Sequence, residues 1–455
     1  MFSPSNTNRR TGPASRSPRP LKRWFLLVQL LVLLAGPLAA QTMMHATNTS
    51  ASVLPLDSVL PLDSVLQLVE RRNPALPQFT YRAQAKEAAV AGYNSWEAPR
   101  VAAGLWMTPY NQGKAKELVG PDARAQGQAI VSVQQMIPNP VKQRAKREYL
   151  NSQGAVVLAD RQVKVVQLRA QARTLYYEQA ILTKKLRVLD ENEELLRFLI
   201  KLAEARYPYN QSTLPGVYDA KARLEMHLNE HRQALALADQ NTIALNTLMN
   251  RPRTEAFRVD TTVLSVPFAA LAAVDTAALA ARRSDVRSLD RSLTSVRLSQ
   301  RLEASRRLPD FGVQFDHMPF LGTGAAQFTL MGSIGLPLVP WASREYKANV
   351  AALGLESQAL TKQREEVLNE AAGRLAGLRR DLDLRQEQLR AYNRSLLPAL
   401  RRSYQATLLA YEQNTGQLFQ VLEAWTTLKK TRLEYLDALQ QQLTQQIAYE
   451  KELEQ

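Results

Sequence analysis

Cysteine is absent from the 455 residues of this chain. That excludes disulfides, thiolate metal sites, cysteine nucleophiles and a lipid-carrying N-terminal cysteine. Glycine is scarce, at 18 residues, and so low a count suits long uninterrupted helices. No phosphate-binding loop, dinucleotide glycine pattern or nucleophile elbow is found. Neither catalysis nor a cofactor is expected, and energy for any work must come from a partner. His227 and His231 stand at i, i+4, a spacing that metal ligands use. Glu230 is misplaced for His-Glu-x-x-His and no third ligand follows, so both are read as surface histidines and no metal is expected. Basic residues outnumber acidic ones, 58 to 42. They are scattered along helices among Glu and Asp with no aromatic interleaving, which describes solvated helix faces and no nucleic-acid partner.

A comfortable membrane-spanning run is also missing. The stretch Trp24 to Ala40 is mostly apolar but only 17 residues long (40 − 24 + 1), and Gln29 and Pro37 interrupt it. It follows Arg9, Arg10, Arg16, Arg19, Lys22 and Arg23, and ends in Leu38-Ala39-Ala40. Residues 1–40 therefore read as a cleaved export signal, with a retained anchor as the alternative. Losing those six charges takes the formal net charge from +16 to +10 (16 − 6). Residues 41–62 read as a linker, in which the hexamer Val53 to Ser58 recurs as Val59 to Ser64.

What the chain does have is a duplication. Tyr207, Asn210, Leu214, Val217, Asp219, Ala220 and Leu224 are answered by Tyr411, Asn414, Leu418, Val421, Glu423, Ala424 and Leu428, all at one offset (411 − 207 = 204). Upstream, leucines recur every seven residues at Leu168, Leu175, Leu182, Leu189 and Leu196. The ladder returns at Leu368, Leu375, Leu382, Leu389 and Leu396, 200 positions later (368 − 168). A period of seven implies left-handed coiling of neighbouring helices. The long helices are placed from about Val141 to Arg206 and from about Ala342 to Ala410, each roughly 100 Å at ~1.5 Å per residue. Asn210 and Asn414 suit the left-handed backbone that ends a helix, and returning helices follow from about Pro215 and Gln417. Ahead of each unit, a short helix capped by Asp63 or Ser64 ends at Arg72, and Asn73 caps the next with Pro74 at its first position.

Each half also holds two strand-like stretches, about 100–108 and 128–137, then about 310–318 and 326–337. Phe311, Val313 and Phe315 alternate with Gly312, Gln314 and Asp316. Phe328, Leu330 and Ile334 alternate with Gln327, Thr329 and Ser333. Turn-forming residues separate the strands of each pair: Gly113, Gly120 and Pro121 in the first half, and 319–324 in the second. The resulting organisation is a first repeat over 63–250 with its tip at about 207–216, a connection over 251–275, and a second repeat over 276–455 with its tip at about 411–417. Lengths near ten residues match a tilted bilayer crossing. Four strands cannot close a barrel, and an open edge in hydrocarbon leaves backbone groups unpaired. Several chains must therefore each contribute four strands, and the rods would continue the barrel as a helical tube.

In this arrangement the chain resembles the TolC-like outer-membrane efflux proteins, over roughly Asp63 to Glu454. The marks are Asn73-Pro74, Val133 to Lys142, Leu245-Asn246 before Arg251-Pro252, Ile334 to Leu338 and the tip Tyr411 to Ala424. The resemblance implies a mainly α fold with a small membrane β part. A homotrimer would complete a 12-stranded barrel and a periplasmic α-helical tunnel. It implies a passive outer-membrane channel exporting drugs, metal ions or other small molecules from an inner-membrane pump (RND or ABC type) through a periplasmic adaptor. The alternatives are a type I protein-secretion channel and a periplasmic coiled-coil scaffold outside the membrane. The resemblance also makes Glu423, and by duplication Asp219, candidates for the periplasmic aperture, with Gln420 where another acid is common. Both acids equally suit the first turn of a returning helix through its dipole. Tyr207 and Tyr411 either brace the closed tip or simply pack at the hairpin ends.

Overall fold

The two leucine seams run along rods that dominate the molecule. The computed structural model describes residues 59–108, 128–265, 276–319, 325–337 and 339–454, together with 110, 114 and 117. The export signal, the linker up to 58, the turn residues Gly113, Gly120 and Pro121, the turn at 320–324 and positions 266–275 of the connection lie outside the described residues.

The described chain opens with β1 (Val59–Leu60), α1 (Leu62–Arg72), α2 (Pro77–Ala91), β2 (Arg100–Trp106) and β3 (Gln128–Ile137). The hairpin of α3 (Pro140–Arg206) and α4 (Leu214–Leu248) follows, then β4 (Arg258–Val259). The second half comprises α5 (Thr276–Arg282), α6 (Ser284–Ser305), β5 (Asp310–Met318), β6 (Gln327–Gly335) and α7 (Pro340–Ala391). A π-helical turn (Tyr392–Leu396), α8 (Leu397–Glu412) and α9 (Leu418–Leu453) complete it. With 67 residues, α3 is about 100 Å long at ~1.5 Å per residue.

Three local expectations are corrected. No side chain caps α1; Pro61 occupies the N-cap position and Asp63 lies within the first turn, where its charge favours the helix dipole. The next helix starts at Pro77 rather than Pro74. Asn73 instead closes a turn, its Oδ1 accepting from the Ala75 N–H at 2.9 Å, while its Nδ2 donates to the Leu248 carbonyl at 2.9 Å. The last residues read as linker are built into the fold. Val59 and Leu60 pair in parallel with Arg258 and Val259, and the Tyr176 hydroxyl donates to the Leu60 carbonyl at 2.8 Å while accepting from the Asp260 N–H at 2.9 Å.

The second rod is not a copy of the first. From Pro140 to Asn210 is 70 positions, but from Pro340 to Asn414 is 74 (210 − 140; 414 − 340). Such a four-residue insertion disturbs a heptad seam. Part of it is taken up in the π turn, which stands just before Pro398. Proline there removes one helical N–H bond and crowds the carbonyl four residues back, which a widened turn relieves. The ladder leucines Leu375, Leu382 and Leu389 are buried, but Leu396 is 45% exposed. The seam resumes at Tyr404 and Tyr411, both buried, and these extrapolate back to Leu397 (404 − 7) rather than Leu396. In the first rod the ladder is unbroken, with Leu168, Leu182, Leu189 and Leu196 buried and Leu175 packed against the core that includes Leu168.

The four longer strands form one antiparallel sheet in the order β2-β3-β5-β6. Register places Val101, Val133, Phe315 and Leu330 in one row and Ile137, Phe311 and Ile334 in another on the same face. That face also carries Leu105, Val131, Val313 and Phe328, and its large side chains are 38% to 70% exposed. The opposite face is more polar, with Gln128, Ser132, Gln134, Gln314, Asp316, Gln327, Thr329 and Ser333 set among Trp106, Ile130, Met136, Met318 and Met331. There Gln128 donates to Gln327 at 3.2 Å and Gln314 donates to the buried Asp316 at 2.9 Å. Gly312 lies on this face, where a Cβ would sit 2.6 Å from Ser333 Oγ and 3.0 Å from Met136 Sδ and would force those side chains to shift. Within the chain, β2 and β6 each have one partner and one free edge.

Candidate functional site

The far ends of the rods bring the six sequence-picked residues into one region. Each long helix ends in the same way. Asn210 and Asn414 adopt φ of 56° and 59°, the left-handed region that asparagine tolerates. The Gln211 N–H donates to the Arg206 carbonyl at 3.2 Å and the Thr415 N–H to the Ala410 carbonyl at 2.8 Å. These bonds satisfy carbonyls that a helix end would leave unpaired. Thr213 caps α4, accepting from the Gly216 N–H at 3.3 Å, whereas Gln417 and Gln420 form a reciprocal capping box on α9. Gln420, read as standing in place of an acid, thus secures the helix start.

The tips differ in what fills them. Tyr411 is buried at 1% exposure, while Tyr207 is 45% exposed. The Arg206 guanidinium lies 4.7 Å from the Tyr411 ring centroid. It also donates to the Tyr411 carbonyl and, at 2.8 Å, to the Glu412 carbonyl. Arg206 therefore caps the end of α8 from the neighbouring hairpin, where a cation is favoured by the dipole. Its duplicate position is Ala410, so only one such clamp exists per chain. Of the two tyrosines, Tyr411 is packed inside the tip and Tyr207 faces solvent.

Asp219 and Glu423 come together through a residue that the sequence reading missed. Arg223 Nε lies 3.0 Å from Asp219 Oδ2, and its Nη2 is 3.9 Å from Glu423 Oε2. Arg223 Nη1 also donates to Thr426 Oγ1 at 2.7 Å. The acids remain 43% and 59% exposed, so each pairing is weak, in the range of ~0–1 kcal/mol. Their placement still matters for charge. Two carboxylates share one guanidinium, and the cluster carries one net negative charge. The signal was available, because Arg223 follows Asp219 by four residues on a helix.

Behind this surface is an apolar bundle of Leu196, Leu199, Val217, Tyr404, Val421 and Trp425. Next to it, His227 is 1% exposed rather than a surface residue. Its Nε2 is 2.9 Å from the Leu189 carbonyl and its ring meets Trp425 edge-on at 6.2 Å. Nδ1 has no partner. His231 turns the other way, to Asp190 at 2.8 Å, and among the described residues no cluster of three metal-ligating side chains exists. Burial first, and then Lys429, lower the His227 pKa below 6.5, against the opposing pull of the Leu189 carbonyl, Glu230 and Glu193. The unfolded chain then binds a proton that the folded chain resists, so this contribution is present above pH 6.5 and is lost as pH falls. Thermal stability is expected to drop between pH 7.5 and pH 5.5, and His227→Phe should reduce that drop. An equal drop in the variant would contradict the assignment.

With this geometry in view, the comparisons with known proteins identify the architecture. No protein-family model and no curated protein matches the chain. Solved structures do. The outer-membrane channel OprN matches with TM-score 0.68 and 17% identity, over 86% of this chain and 89% of that one. The outer-membrane protein VceC from Vibrio cholerae matches with TM-score 0.65 and 15% identity, over 86% and 95%. The transmembrane channel CusC matches with TM-score 0.69 and 13% identity, over 86% and 91%. The chain has the TolC-like outer membrane factor fold.

Proposed function

We propose that this protein is a passive outer-membrane channel of a tripartite export system. Three copies each contribute β2, β3, β5 and β6 to a twelve-stranded barrel, and their rods form a tunnel reaching into the periplasm. The observation that carries this reading is the sheet. One face is an apolar surface exposed on the single chain, broken by Gln135 and His317, the other is more polar, and both edges are open. Hydrocarbon covers such a face, and edge-to-edge closure with sister subunits satisfies the free backbone groups. Small solutes, drugs or metal ions would enter at the rod tips from a periplasmic adaptor and an inner-membrane pump. Nothing in the site points to bond-making chemistry. Heat-modifiable trimers in the outer-membrane fraction, conducting ions in planar bilayers, are the expected result; a soluble periplasmic monomer would overturn the reading.

Asp219 and Glu423 would then ring the tunnel mouth, six carboxylates offset by three Arg223 guanidiniums. Rings of like charge set ion preference. Asp219→Ala with Glu423→Ala is expected to lower cation preference in single-channel reversal potentials. Arg223→Ala should raise it, because the carboxylates lose their counter-charge. If both variants keep the parent selectivity, these residues do not line the aperture.

A further inference from the structure

We infer that the junction between sheet and rods carries a binding site for the headgroup of an anionic phospholipid; this rests on the outer-membrane reading above. A cavity of about 590 Å³ opens where β3 passes into α3 and α6 passes into β5. Lys142, Lys146 and Arg306 line it, with Tyr93 and Trp96 from the segment before β2. The acids on its wall are Glu97 and Asp310. Asp310 is engaged by Lys142 at 2.6 Å, and Arg306 is held by Glu303 and Glu345 at 3.2 Å each. Lys146 takes part in no ion pair among the described residues, and neither does Glu97 on the same wall. Arg147, outside the lining, stacks behind one wall residue, its guanidinium 5.2 Å from the Tyr93 ring centroid.

Two further observations point to an oxygen-rich occupant. Gln143 lines the same cavity, and its buried Nε2 has no hydrogen-bond partner. A buried amide N–H without a partner is costly, and a phosphate oxygen would satisfy it. The wall also includes Ile137, the last apolar residue of the outward face of β3, and Gln135 on that face donates to the Glu97 carbonyl at 2.9 Å. The cavity is therefore continuous with the surface assigned to hydrocarbon. Trp96, 57% exposed at that boundary, is the type of side chain that sits at headgroup level. The strands above the cavity, β3 and β5, are the inner pair of the sheet, and the segment leading into the edge strand β2 closes one side of it. An ammonium free of any ion pair, directly beside an acyl-chain surface, favours an anionic lipid over a zwitterionic one, and a lipid over free phosphate.

The test uses the full chain in nanodiscs of phosphatidylcholine containing a minor fraction of phosphatidylglycerol. Lipid retained on the protein after detergent extraction is quantified by mass spectrometry, with channel conductance measured on the same preparation. The parent protein is expected to retain phosphatidylglycerol above its bulk fraction. Lys146→Gln should reduce that enrichment roughly fivefold, in keeping with the value of one cation near a membrane surface. Gln143→Leu should reduce it without any change of charge. Both variants should keep parental melting temperatures and conductance. Retention in bulk proportion, or enrichment unchanged in both variants, overturns the lipid site while conducting channels leave the channel reading standing. Displacement of the bound lipid by millimolar inorganic phosphate would also overturn it, because the occupant would then be recognised as phosphate alone. Failure to enter the bilayer at all would overturn both.

Discussion

Leu382→Pro is expected to abolish assembly of the proposed trimer. Leu382 is fully buried within α7, packed in a cluster with Leu375, Ala371, Tyr449 and Leu453. Proline there removes a helical hydrogen bond and clashes with the carbonyl one turn back, at ~3 kcal/mol or more. Removal of the leucine side chain costs a further ~2–5 kcal/mol. Together these approach the whole stability of an ordinary domain, about 5–15 kcal/mol. Leu382→Ala separates the contributions, since it loses packing and keeps the helix. The alanine variant should assemble with a lowered melting temperature, while the proline variant should yield no heat-modifiable oligomer. Leu182→Pro in α3 should behave likewise. Normal assembly of either proline variant would contradict the continuous rods. The natural Pro398 is tolerated because it stands in the first turn of α8, next to the π turn, where a missing N–H costs little.

The second large effect is expected at the equator, where Arg283→Met should destabilise by roughly 3–5 kcal/mol, the usual cost of breaking a buried ion pair. The Arg283 side chain is 7% exposed and Glu452 is 12% exposed, with 2.5 Å between Nη1 and Oε2. A second pair at 2.6 Å joins Arg283 to Asp285, and Arg283 also donates to the Glu452 carbonyl at 3.1 Å. Burial alone would favour a neutral side chain, but the two carboxylates outweigh it and raise the Arg283 pKa. The guanidinium stays charged at all ordinary pH values, so the loss should be pH-independent from pH 6 to 9. This contact ties the start of α6 to the end of α9, beside Ser284, whose N–H and hydroxyl both donate to Glu454 at 2.6 Å. Arg283→Met leaves Glu452 with Arg374 alone, at 3.1 Å, so adding Glu452→Gln should recover part of the stability by removing a buried charge that has lost one of its two partners. No recovery in the double variant would show that the pair is not the stabilising element.

Much of this architecture was legible from local pattern. Leucines at a spacing of seven, strands with period-two alternation and asparagines at the hairpin ends carry their structural meaning within a few residues. Contacts between distant segments were not. The pairing of Val59–Leu60 with Arg258–Val259 joins residues about 200 positions apart, and two-residue strands have no periodicity to detect. The π turn had a sign in Pro398, but the leucine ladder concealed it because Leu396 falls on the count of seven. At the tips, Asn210, Asn414 and the acids were accessible through duplication. Arg206 and Arg223 were not, because their duplicates are Ala410 and Thr427, and a repeat exposes only what both copies keep. His227 looked like a surface residue because its burial depends on α3 supplying the Leu189 carbonyl.

The claim that sister subunits complete the sheet is tested most directly by crosslinking its two free edges. The chain contains no cysteine, so introduced pairs report without background. One cysteine is placed along β2, at Ala102 or Ala103, and a second is scanned along β6 from Phe328 to Ile334. Within one chain these strands are separated by β3 and β5. Oxidation in the outer membrane should therefore give covalent dimers and trimers, with yields alternating every second residue along β6 and nothing larger than a trimer. Monomers at every pairing, or an open ladder of larger oligomers, would contradict a closed three-chain barrel.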